Sequence, residues 1–224
     1  MKIYAMSDIH GCLDAFEQAL ENVDLSGDNM LILLGDYIHG GDESREVLER
    51  IMDLQAEYGY DKVVALAGNH EIFYLEGHCG INSLFEHDDE SCDTDRYYDF
   101  ISGLPLYYTT DTQIFCHAGV SEEYGEGWES YTDDHTYVEK FPAETGEFCA
   151  DIIAGHIYSG KIADDRTFCD IYFDGKSHYY IDGDVLTNGQ IPVLMYDTDT
   201  EKYYQIKNGY PIKIEEYEKF RDII

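Results

Sequence analysis

Lys2-Ile3-Tyr4-Ala5-Met6-Ser7-Asp8-Ile9-His10-Gly11 is a short apolar run that ends in an aspartate, a histidine and a glycine. The pattern recurs. Met30-Leu31-Ile32-Leu33-Leu34 leads into Gly35-Asp36, and Lys62-Val63-Val64-Ala65-Leu66-Ala67 leads into Gly68-Asn69-His70-Glu71. Short apolar runs stopped by turn residues read as buried strands. Between them lie helical patterns. Asp14 to Val23 carries Phe16, Leu20 and Val23 at helical spacing, and Glu43 to Tyr58 carries Val47, Leu48, Ile51 and Leu54 on one face. His70 opens a further helical stretch. Such a βαβαβ order predicts a parallel sheet with helices on its face. The polar residues sit just past the strand C-termini, where open α/β sheets place their sites.

Working outward, the second half changes character. Leu106–Thr110, Gln113–His117, Asp151–Ala154, Phe168–Phe173, His178–Ile181, Val193–Tyr196 and Lys202–Ile206 read as strands separated by turn signals such as Asp174-Gly175, Asn188-Gly189 and Asn208-Gly209. These predict a second, largely antiparallel sheet packed on the first. Residues 120–150 form an acidic insert of weak periodicity, expected as a helical cap over the site. With no repeat or linker, residues 1–224 read as a single domain of α/β class.

Composition narrows the partners. The 224 residues carry 14 Lys+Arg against 47 Asp+Glu, a formal net charge of −33. Such a surface repels polyanions, so neither nucleic acid nor an anionic membrane is expected as a partner. The apolar content of 44% is that of a globular chain. The N-terminal apolar run is too short for a signal peptide, and no run approaches the ~20 apolar residues of a membrane span. Six cysteines without a CxxC pair, two of them (Cys12 and Cys116) beside motif residues, fit reduced thiols and a cytoplasmic location. Oligomeric state is not legible.

The chemistry lies in the polar residues that follow the runs, with His117-Ala118-Gly119 and Gly155-His156 completing the set. Asp8 and His10 flank one residue and can grip one metal. Asp36 is placed to bridge two metals, Asn69 offers a neutral oxygen, and His117 and His156 offer nitrogens to a second metal. Mixed N/O donors without thiolate suit manganese first, with iron, zinc or cobalt as alternatives. His70 is left over for proton transfer. Two divalent metals and a spare imidazole predict metal-assisted hydrolysis of a phosphate ester.

The ordered set resembles the phosphoprotein phosphatase branch of the calcineurin-like metallophosphoesterases, particularly its small bacterial members, whose pattern is DxHG, GDxxDRG, GNHE, HAG and GH. Tyr180-Ile181-Asp182-Gly183 before a terminal hairpin is similar to the family's final strands. The resemblance implies a four-layer α/β/β/α sandwich with two mixed sheets. It assigns Asp8, His10 and Asp36 to one metal, Asp36, Asn69, His117 and His156 to the other, and the general-acid role to His70. A hydroxide bridging two cations about 3.5–4 Å apart would then attack phosphorus in line. Glu71 is expected to be structural. His39 and Tyr158 are candidate substrate contacts, and His78, His87, His135 and His178 are expected on the surface.

The chain departs from that pattern where phosphate is bound. GDxxDRG becomes Gly35-Asp36-Tyr37-Ile38-His39-Gly40-Gly41, which puts His39 at the aspartate position and Gly40 at the arginine position. Ala67 stands where many relatives have another arginine. Val138 falls at a third, with Lys140 as a possible substitute. A guanidinium fork binds a dianion bidentately, so these losses weaken the monoester clamp. His39, accepting a hydrogen bond as a neutral imidazole, would support the His70 imidazolium less than an aspartate and lower its pKa. The leading expectation is a metal-dependent phosphatase acting on a phosphorylated small molecule or a phosphoprotein. A phosphodiesterase and a weakly active metal-binding regulatory module are the alternatives.

Overall fold

The computed structural model describes residues 1–78 and 94–218. Eleven strands among them form two sheets. The first has the order β11 (Tyr210–Lys213), β10 (Lys202–Lys207), β9 (Val193–Asp197), β1 (Lys2–Met6), β2 (Met30–Leu33), β3 (Val63–Ala65). The second runs β4 (Tyr107–Thr109), β5 (Gln113–Cys116), β6 (Asp151–Ala154), β8 (His178–Tyr180), β7 (Tyr172–Phe173).

The expected parallel core is present, β1 pairing with β2 and β2 with β3 in parallel. Its strands read as continuous apolar runs because both faces are buried. Tyr4, Met6, Leu31, Leu33, Val63 and Ala65 pack on one side against Phe16 and Ala19 of α1 (Leu13–Leu20), Val47, Leu48 and Ile51 of α2 (Ser44–Tyr58), and Tyr97 and Ile101 of α4 (Thr94–Ser102). Ile3, Ala5, Ile32, Leu34 and Val64 face the other way, onto Phe115, Ile153, Tyr179 and Ile181 of the second sheet. Beyond that sheet, Ile114, Cys116, Ile152 and Tyr180 meet Trp128 of α5 (Trp128–Tyr131) and Tyr137 and Val138 of α6 (Asp134–Glu139). The layers are helix, sheet, sheet, helix.

The second half corrects the expectation in three ways. β9 pairs antiparallel with β1, and β10 and β11 continue outward from it, so these strands extend the first sheet. The second sheet is mixed, since β5–β6 and β6–β8 are parallel and β4–β5 and β7–β8 antiparallel. A parallel pairing needs a long crossover, and residues 117–150 supply one. Only Tyr172–Phe173 of the expected Phe168–Phe173 strand is extended. Phe168 instead closes a turn onto Asp165 O (3.1 Å).

His178 also differs. Expected on the surface, it is 1% exposed. Its Nδ1 lies 3.0 Å from Asp174 Oδ2 and its Nε2 2.9 Å from Glu122 Oε2. Two carboxylate acceptors require both ring nitrogens to be donors, so the ring is an imidazolium. Through Glu122 it ties the acidic insert to the second sheet, where Lys140 Nζ also meets Glu122 (2.9 Å), Glu144 and Val120 O. Lys140 is committed there. His78 and His135 are exposed, and His87 lies outside the described residues. Among the described residues no helix is long and apolar enough to cross a membrane.

Candidate metal centre

Five motif residues follow their strands on left-handed backbone. Asp8, His10, Asp36, His39 and His156 all have φ between 49° and 67°. Left-handed backbone in non-glycine residues is strained and persists only where the surroundings over-determine it. Here the loops fix one another. Asp8 N–H donates to Gly35 O (3.1 Å), His10 N–H to Asp36 O (2.9 Å) and Gly155 N–H to His117 O (2.8 Å). Glu71, fully buried, accepts from the N–H groups of Gly68 (2.8 Å), Asp36 (2.7 Å) and Tyr37 (2.9 Å), welding the second motif to the third. Its expected structural role is thus a pin between loops. Gly68 and Gly155 are needed for close approach: a Cβ would collide with the Asp36 carboxylate at the first, and with Ser7 Oγ and the Asp8 carboxylate at the second.

All six expected ligand residues and His70 come together. Asp36 Oδ2 lies 3.4 Å from His117 Nε2, 3.7 Å from His10 Nε2 and 3.9 Å from His70 Nε2. Asp8 Oδ1 is 3.8 Å from His10 Nε2. Asn69 Oδ1 is 3.0 Å from His117 Nε2 and 3.1 Å from His156 Nδ1. Ligand atoms of His10, Asp36 and His70 form one group within 4.8 Å, and those of Asp36, His117 and His156 another. Asp36 belongs to both, as a bridging carboxylate must.

The tautomers decide what fits. His117 Nδ1 donates to Leu34 O (2.9 Å), and His10 Nδ1 to His39 O (3.0 Å). With those N–H groups spent on carbonyls, Nε2 is the atom that each ring turns on carboxylate and amide oxygens, and a proton or a metal ion must stand between them. Acceptors facing acceptors repel unless a cation lies between them, and carbonyl-oriented histidines are the usual support of metal ligands. The donor set fits divalent cations.

The electrostatics agree. Burial raises Asp8, with Asp36 adding to it, whereas the histidines around Asp36, His117 foremost, overcome burial and hold its carboxyl well below the usual range. Burial would lower His117, but Asp36 and Asp8 lift it to about 10. His156 is pushed down to about 4 by burial, then by the charge of His117. The protein thus favours a positive charge beside Asp36.

His39 Nδ1 lies 3.1 Å from His70 Nδ1, the contact expected of the aspartate position. Burial lowers both rings, and for His39 the neighbouring His70 adds to it. Tyr158 is exposed and sits just before the short helix α7 (Ser159–Ile162). Two residues were not foreseen. Lys161, on α7, stands over the Phe141 ring at 4.5 Å, and its charge lowers His156. Asp182, nearly buried, is raised by burial and then by Asp8. Only their place after recognised motifs hinted at either.

Residues 1–196 match the family described as calcineurin-like phosphoesterase. The symmetrical bis(5'-nucleosyl)-tetraphosphatase of Delftia acidovorans is 32% identical over 131 residues, covering 54% of this chain and 45% of that protein. The one from Nitrosococcus oceani is 27% identical over 169 residues, covering 72% and 57%. The chain spans about half the length of these relatives. Among solved structures, the cold-active protein-tyrosine phosphatase of a psychrophilic Shewanella superposes with a TM-score of 0.65 at 15% identity, covering 96% of this chain and 80% of that one. A protein serine/threonine phosphatase from Saccharomyces cerevisiae superposes with 0.59 at 13% identity, covering 100% and 82%. At such identities the likeness is one of fold.

Proposed function

This chain belongs to the calcineurin-like phosphoesterase family, and we propose that it hydrolyses phosphate esters or anhydrides at a two-metal centre built on Asp36. The observation that carries this reading is the convergence of histidine nitrogens on Asp36 Oδ2, with Nδ1 of His117 and His10 held by carbonyls and Asp36 shared by both ligand groups. Asp8, His10 and Asp36 would hold one divalent ion, and Asp36, Asn69, His117 and His156 the other. When bound, such ions polarise phosphoryl oxygens and bring the pKa of a water towards neutrality.

The chain's own groups do the remaining work. His70 holds the proton that passes from Nε2 to the leaving oxygen, a role contributing about 10²–10⁴-fold. As an imidazolium, His70 donates its Nδ1–H to a neutral His39 Nδ1 and passes its Nε2 proton on, ending as a neutral ring. Glu71 keeps Asp36 aimed, and Tyr158 and Lys161 border the His156 side.

The substrate we favour is a nucleoside-capped polyphosphate, as in the name borne by the relatives, cleaved at an internal anhydride. A His70 that is protonated less of the time suits this bond, because a leaving phosphate oxygen is a weak base and departs with little protonation. A monoester phosphatase is the second reading. The test compares diadenosine tetraphosphate, p-nitrophenyl phosphate and bis-p-nitrophenyl phosphate with Mn²⁺-loaded protein. The tetraphosphate should give the highest kcat/KM; a preference of about tenfold or more for p-nitrophenyl phosphate would select the phosphatase.

A further inference from the structure

On its His10 side the cluster is bordered by Gly40 and Leu186. Gly40 lies beside His10, and a side chain on it would run into Leu186: a Cβ there meets Leu186 Cδ1 at 2.8 Å and Cδ2 at 3.1 Å, with His10 Cβ at 3.4 Å. The leucine itself is 54% exposed. An exposed leucine on a surface loop needs no explanation by itself, but this one is held rigidly. It sits on the one-turn helix α8 (Val185–Asn188), bracketed by left-handed Asp184 (φ 55°) and Gly189 (φ 67°). Val185 anchors the turn in the main core, Asp184 N–H donates to Asp182 Oδ1 (2.8 Å), and Asn188 Nδ2 donates to Gly183 O (2.8 Å). The turn buries Val185 and leaves Leu186, Thr187 and Asn188 exposed, with Leu186 against Gly40. Across the cluster, Phe73 lies 6.0 Å from the His70 ring, so His70 has an apolar neighbour as well.

We infer that Leu186 is a specificity-determining residue: its methyl groups occupy the side-chain space over Gly40 and form an apolar wall beside His10, favouring a phosphate that bears an aromatic or nucleoside substituent over a terminal dianionic phosphate. The inference rests on the hydrolytic reading of the Asp36 cluster and names the substrate class of that site. A monoanionic phosphate whose non-leaving substituent carries an aromatic or nucleoside group gains apolar contact with Leu186. A terminal phosphate meets a wall with no charge to offer its second negative charge.

The test uses the Mn²⁺-loaded full chain with Leu186→Ala and Leu186→Arg, both at an exposed position and checked for folding by circular dichroism. Leu186→Ala should raise KM for bis-p-nitrophenyl phosphate by about fivefold and leave methyl p-nitrophenyl phosphate, whose substituent is too short to reach, unchanged, with kcat for both within about twofold. Leu186→Arg should move the monoester-to-diester ratio of kcat/KM by about tenfold towards the monoester. Equal effects of Leu186→Ala on the two diesters, or an unmoved ratio in Leu186→Arg, would overturn the inference. Calorimetric binding of diphenyl phosphate and of inorganic phosphate provides a readout that does not depend on turnover. Leu186→Ala should weaken the first by about fivefold and not the second. Unchanged diphenyl phosphate binding sinks the role of Leu186. Absent turnover in the wild type, with that binding difference intact, sinks the hydrolytic reading alone.

Discussion

Two rings, His39 and His70, sit with their Nδ1 atoms 3.1 Å apart where the sequence resemblance places an aspartate and an imidazole. The substitution changes what the acid can do. A carboxylate accepts from Nδ1–H and stabilises the imidazolium, whereas a neutral imidazole only accepts or donates. Burial already lowers both rings. The protonated form of His70 is therefore lost at lower pH than for an ordinary histidine, and the alkaline limb of the rate profile lies correspondingly lower. His39→Asp should move that limb to higher pH and raise kcat on an ester with a strongly basic leaving group, by up to about tenfold. A pH–rate series on an alkyl phosphate diester checks this. An unmoved limb would mean that His39 does not set the proton affinity of His70.

At the scale of elements, the acidic insert is fastened by buried charge. His178 is raised because Glu122 and Asp174 together outweigh its burial, and Glu122 is lowered to about 2 by His178 and Lys140 despite its own burial. Asp151 also lies within electrostatic reach of the ring, and Tyr180 stacks on it. A histidine raised on folding contributes fully below its unfolded pKa of about 6.5, and that stability fades as pH rises through the folded value. Glu122 contributes fully above about 4.5, and its share is lost as pH falls towards about 2. The pair is thus complete between roughly pH 4.5 and 6.5. Its loss leaves Glu122 with Lys140 alone and Asp174 with backbone donors alone, so His178→Gln should destabilise by about 2 kcal/mol at pH 6. The gap from wild type should narrow towards pH 9, as thermal unfolding would show; parallel Tm curves would remove His178 from the latch.

The same elements show what a sequence displays and what it hides. β1, β2 and β3 are legible because strands buried on both faces read as unbroken apolar runs, and the residues after them carry the site. β9 is legible as a strand but its place is not, because choosing β1 as its partner is a long-range matter that alternation does not encode. The placement of β5 and β6 side by side in parallel was within reach, since the long stretch between Cys116 and Asp151 forbids a hairpin. His178 was misread because its partners, Glu122 and Asp174, come from other elements. Leu186 carries no motif, and its contact with Gly40 exists only in three dimensions.

For the whole molecule, 47 acidic against 14 basic residues make the surface repel the anions that the cluster is proposed to process. The long-range term is screened by salt, the Debye length shrinking from ~30 Å at 0.01 M to ~8 Å at 0.15 M, while the partly buried cluster is screened less. KM for diadenosine tetraphosphate should therefore fall by a few fold as NaCl rises over that range, with kcat little changed. A rising KM would place a dominant basic surface at the substrate path. The central claim is that Asp36 joins two metal sites, and metal stoichiometry measured beside hydrolysis tests it most directly. Chelator-stripped protein dialysed against Mn²⁺ should take up two ions per chain and gain turnover of diadenosine tetraphosphate, and Asp36→Asn should lose both. Turnover that persists in Asp36→Asn, or a wild type that binds no Mn²⁺, would contradict it.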